Sequence, residues 1–332
     1  MTRLLSAFMT CCLILALNAP TSATEPFELN DGDRVLFVGS TFVEREGNYG
    51  YIETALTSAW PDRKITFRNL GWSGDTVWAD SRGIFDPPAE GYKRMLALIA
   101  ELRPTVIFFA YGANESFAGD AGLDRFVKQY EKLCDDVKST NARIVFMTPP
   151  PFERPKPPLP DTSLHNPNLE KYAEAVRQIC ERRNGRLLDL LARVKAARPS
   201  SADKSELRSL TQDGSTLNPF GYHFVASEIS ADLQLPKSSQ ASLMLAAQAR
   251  EGTNWQSMKS PEPLPPIEHL RRKIVEKNLL FFHRWRPQNI TYLTGFRKHE
   301  QGNNAVEIAQ FDPLVAKAEG EITALLKSKS RE

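Results

Sequence analysis

Apolar residues gather in five short runs: Arg34–Val38, Lys64–Leu70, Thr105–Ala110, Arg143–Thr148 and Arg186–Leu191. Each is rich in Val, Ile, Leu or Phe. Between them the pattern takes a helical period over Tyr51–Ala59, Gly91–Leu102, Leu123–Ser139 and Asn168–Arg183, and again after Pro219. Short strands apolar on both sides, alternating with helices, are the pattern of a parallel sheet covered on both faces. The spacing therefore predicts a three-layer α/β domain over residues 31–235.

Beyond Leu235 the chain changes character, and residues 236–332 read as a helical extension. Its apolar positions form one-sided stripes, which need a partner surface, so the extension is expected to pack back onto the α/β body. The stretch Thr148–Asp161 holds too many prolines to continue a helix or sheet and reads as a loop over the strand ends. In open parallel sheets ligands sit at the carboxyl ends of the strands. The loops that matter are then Gly39-Ser40-Thr41, Gly71–Thr76, Tyr111–Glu115 and Pro149–Pro151.

Composition narrows the partners. Lys and Arg number 42 against 40 Asp and Glu, a formal charge of +2, which offers no field for nucleic acid or an anionic membrane. Residues 1–23, with Arg3, an apolar run from Leu4 to Leu17 and small residues at Thr21-Ser22-Ala23, read as a signal peptide. That implies a secreted or periplasmic protein with no membrane contact after cleavage; an uncleaved anchor is the alternative. Cys134 and Cys180 are either a disulfide pair or two buried thiols. No Cys or His cluster has zinc-like spacing, so neither a metal nor another cofactor is expected.

Four of the strand-end segments carry a family resemblance. "LFVGST", "NLGWSGDT" (Asn69–Thr76), "AYGANES" (Ala110–Ser116) and "LTQDGSTLNPFGYHFVA" (Leu210–Ala226) resemble, in order, the four signature blocks of the SGNH (GDSL-type) esterase and lipase superfamily. The extension looks similar to those on members from planctomycete-type bacteria. The resemblance implies a flavodoxin-like α/β/α fold and ester hydrolysis, with acyl esters of carbohydrates as one substrate class. It puts Thr41 at the nucleophile position, Gly74 and Asn114 at the oxyanion positions, and Asp213 at the start of the Asp-x-x-His block. In such catalysis, amide donors converging on an oxyanion are usually the largest electrostatic contribution. Gly74 is expected to allow close backbone approach because it lacks a Cβ. Taken singly, Gly74 is equally a tight turn and Asn114 a loop cap.

Here the chain departs from the pattern. Ser40 stands where the family has Asp, Thr41 where it has Ser, and Thr216 where it has His. A hydroxyl attacks only when a base takes its proton, and Thr216 cannot do so. Substitute bases are sought among His283 and His299, in the aromatic and polar segment Phe281–Asn304, which is otherwise a docking loop. His165 overhangs the strand ends or is solvated, and His223 turns away within its helix. Glu44 and Glu46 are candidate acids or bases if walled by aromatics, and Arg45 a carboxylate or sugar ligand; otherwise the three form a solvated charged run. Two readings follow: a hydrolase with a non-standard nucleophile and base, or a non-catalytic protein binding a small-molecule or carbohydrate ester. Oligomeric state is left open.

Overall fold

A computed structural model describes residues 27–198, 208–236 and 265–329; the expected signal peptide lies outside them. Strands β1 (Arg34–Gly39), β2 (Thr66–Gly71), β3 (Val106–Ala110), β4 (Arg143–Met147) and β5 (Arg186–Leu188) form one parallel sheet in the order β2-β1-β3-β4-β5. This is the flavodoxin-like order. Alternate residues of β1 point to opposite faces, as a pleated strand requires. Val35 and Phe37 pack with α2 (Tyr51–Ala59), α6 (Leu190–Ala197) and α7 (Pro219–Asp232). Leu36 and Val38 pack with α3 (Pro88–Leu102), α4 (Gly119–Asp136) and α5 (Asn166–Arg182).

Among the boundaries that shift from the sequence reading, two change the character of a segment. The run read as one strand to Leu191 stops at Leu188, because the Asp189 side chain accepts from Ala192 N at 3.1 Å and caps α6. The Glu44-Arg45-Glu46 run, with a solvated charged run as one reading, lies inside α1 (Thr41–Tyr49). Gly50, at φ +68°, separates α1 from α2. The last turn of α1 crosses from solvent to core: Glu46 is buried, and its Oε1 accepts from Ile52 N at 2.6 Å, capping the α2 N-terminus. At the other end of α1 the backbone approaches β2 so closely that a Cβ on Gly71 would stand 2.1 Å from Glu44 N.

The extension packs on the body, chiefly through α8 (Pro266–Trp285) and α11 (Phe311–Lys329), with short α9 (Ile290–Leu293) and α10 (Lys298–Gln301) between. Helices α8 and α11 bury Ile267, Leu270, Ile274, Ile322 and Leu326 against each other. Helix α8 also lies along α1, α2 and the edge strand β2. Phe281 and Trp285 join the core of the body. Beside them the buried Lys277 Nζ pairs with Glu53 Oε1 at 2.8 Å and donates to Phe67 O at 3.1 Å, while Asn278 Nδ2 donates to Glu53 Oε2 at 2.9 Å. Burial pushes the Lys277 ammonium down from its usual value, and the Glu53 charge opposes that shift. Cys134 and Cys180 are buried free thiols, both pushed up in pKa by burial, to about 12 and about 11.

Candidate active site

The carboxyl ends of β1, β3 and β4 open onto a cavity of about 150 Å³. Ser40 and Thr41, directly after β1, form one edge of it. Asn114 enters from the loop after β3, and the turn Ser215-Thr216-Leu217 closes in beside them. Phe42, Phe117, Pro150, Phe152 and Tyr222 make the remaining wall largely apolar.

The loop after β2 is held at four points. Trp72 N donates to Gly39 O at 3.0 Å. Ser73 donates from N and Oγ to the Glu44 carboxylate at 2.9 and 2.6 Å. Gly74 N donates to Thr41 Oγ1 at 3.1 Å, and Asn114 Nδ2 donates to Asp75 O at 2.7 Å. Gly74 sits at φ +75°, and a Cβ there would meet nothing closer than Ser81 Oγ at 3.7 Å. The left-handed backbone there is one that glycine adopts without strain, and no protein atom crowds the place of a Cβ.

Buried charges fix the donors behind the cavity. Asp75 Oδ2 accepts from Arg82 Nε at 2.6 Å, and Arg82 Nη2 donates to Leu70 O at 2.8 Å. Burial raises the Asp75 carboxyl despite Arg82. Glu115 accepts from Val77 N at 2.7 Å and Gly112 N at 2.8 Å, tying the segment after β2 to the loop after β3. Burial pushes Glu115 up to about 7, against those amide bonds.

The other candidates separate. Asp213 Oδ1 accepts from Thr216 N at 2.6 Å and Ser215 N at 2.9 Å, closing its own turn. Partial burial pushes Asp213 up, but these amides outweigh it and hold the carboxyl below its usual value. None of the chain's five histidines lines the Thr41 cavity. His283 instead borders a separate cavity of about 240 Å³, with Glu44, Asn48 and Gln288. His299 is exposed on α10, 3.6 Å from Glu300. His223 is buried edge-on to Tyr51, and His165 stands 4.6 Å from the ring of Phe117, outside the lining. Arg45 does not line the cavity either. Burial pushes Glu46 up to about 8.

Sequence reasoning missed Glu153, in the Pro-rich loop. Its Oε2 accepts from Ser209 Oγ, Leu210 N, Thr211 N and Thr211 Oγ1 at 2.7–2.9 Å, anchoring the turn that carries Asp213. An acid set among prolines was the available signal.

Residues 37–224, more than half of the chain, match the profile of the GDSL-like lipase/acylhydrolase family. The chain belongs to that family. Two catalytic mutants of Axe2, an acetylxylan esterase from Geobacillus stearothermophilus, are each 18% identical to this family member at a TM-score of 0.50, over 63% of this chain and 98% of theirs. LAE5, an alpha/beta hydrolase enzyme from the metagenome of Lake Arreo, Spain, is 16% identical at a TM-score of 0.48, over 62% of this chain and 97% of its own. No curated protein matches the sequence. The Axe2 likeness establishes the shared fold, to which this GDSL-like chain adds the C-terminal helices.

Proposed function

We propose that this family member holds the acyl group of a small-molecule or carbohydrate ester in the Thr41 cavity and does not hydrolyse it by a hydroxyl–imidazole attack. The signal-peptide-like N-terminus supports a ligand met outside the cytoplasm. One observation carries the reading: no histidine lines the cavity, and Asp213 Oδ1 is spent on backbone amides. Without a base the Thr41 hydroxyl is a weak nucleophile. The cavity, about 150 Å³, is below the roughly 300–1,000 Å³ of sites for drug-sized ligands. It suits an acetyl group better than a long acyl chain.

Hydrolysis is the second reading, favoured by the grouping of Thr41 Oγ1 and Gly74 N at 3.1 Å beside Asn114. Titration of the purified protein with acetylated sugars, with p-nitrophenyl acetate turnover measured in parallel, separates the two. Binding without turnover, weakened about tenfold by Asn114→Ala, is the expected result. Turnover abolished by Thr41→Ala would establish hydrolysis instead. Binding unchanged in both variants would remove the ligand from this cavity.

A further inference from the structure

The loop that carries Gly74 is gripped from the far end of the chain. Arg286, just past α8, lays its guanidinium carbon 3.6 Å from the centroid of the Trp72 ring and pairs with Glu44. Glu44 in turn accepts both Ser73 donors, at 2.9 and 2.6 Å. Trp285, in the preceding position, packs edge-on to Trp72 at 5.8 Å. Arg286 thus touches the residue two before Gly74 and, through Glu44, the residue one before it.

We infer that Arg286 is a positioning residue for the Gly74 amide, which donates to Thr41 Oγ1 at the edge of the cavity, so that this donor is held in place only with the extension docked. The guanidinium does two things an ammonium cannot do together: it stacks flat on an indole and pairs with a carboxylate. Glu44 is half-buried, and partial burial alone would raise its pKa; the Ser73 bonds and the Arg286 charge outweigh that and hold it low. Without Arg286 the carboxylate loses the cation paired with it, and the Ser73 anchor weakens in turn.

The ligand arm of the test rests on the proposed acyl pocket, whereas the loop arm does not. Hydrogen exchange of the full-length protein is followed in peptides spanning residues 72–76 for wild type, Arg286→Ala, Arg286→Lys and Arg284→Ala. Arg284, which pairs outward with Asp312 at 2.9 Å, is the control. Arg286→Ala is expected to speed exchange at Ser73 and Gly74 about tenfold, the scale of one charged hydrogen bond. Exchange in α8 and α11 stays at the wild-type rate, Arg286→Lys falls between, and acetylated-sugar binding weakens by a similar factor. Loop exchange equal to wild type overturns the inference. So does a uniform rise across α8, α11 and the loop, which would make Arg286 a docking contact only. If wild type binds no acetylated sugar, the pocket reading fails alone and the loop exchange still decides the role of Arg286.

Discussion

Placing a histidine at position 216 gives the sharpest test of the proposed site. Thr216 lines the cavity with Thr41, and its backbone N already donates to Asp213 Oδ1 at 2.6 Å. In Thr216→His that bond remains and Asp213 Oδ2 is left to orient an imidazole, as the third member of a triad does. A positioned general base contributes about 10²–10⁴-fold, or about 3–5 kcal/mol of barrier. Thr41→Ser, added to it, removes the methyl group beside the hydroxyl. The double variant is expected to hydrolyse p-nitrophenyl acetate at least about 10²-fold faster than wild type. Its rate should rise with pH through a limb near about 6.5, the ordinary imidazole range. A well-folded double variant with the wild-type rate would refute the reasoning, because base, hydroxyl and the proposed oxyanion donors would then be present without catalysis.

Other consequences follow from the buried charges. Lys277→Met leaves the Glu53 carboxylate buried without its cation and is expected to cost about 3–5 kcal/mol, lowering Tm by roughly 10 °C; Glu53→Gln in the same chain should recover much of it. Glu46, raised from 4.5 to about 8 by burial, stays protonated in the fold while the unfolded chain ionises. Its stabilising contribution is complete below pH 4.5 and is lost as pH rises toward 8. Thermal melts of Glu46→Gln should therefore show a shallower decline than wild type between about pH 5 and pH 8, and parallel curves would count against the buried acid. Glu115→Ala strands the Val77 and Gly112 amides and should cost about 3 kcal/mol in denaturant unfolding.

The sheet was legible because strands buried on both faces read as continuous apolar runs, as in Val106–Ala110. The ends of elements were less so: the stretch from Leu187 to Leu191 is mostly apolar whether it continues β5 or begins α6, and the Asp189 cap decides. Gly74 and Asn114, named as candidates from their loops, lie near Thr41, since each follows a strand of one parallel sheet. The placement of the histidines was not legible, because nothing local to His283 or His299 encodes where the extension docks.

The sequence by itself determined the α/β alternation, the order of the strand-end blocks and the presence of Thr41 and Thr216 where the resemblance implies a serine and a histidine. Only the tertiary structure decided the fate of Glu44-Arg45-Glu46. Two acids of one short helix, α1, went to different partners: Glu46 to the α2 N-terminus six residues on, Glu44 to Ser73 and to Arg286, 242 residues away. Side-chain chemistry is local, but the burial and the partner that set its role are properties of the packed chain.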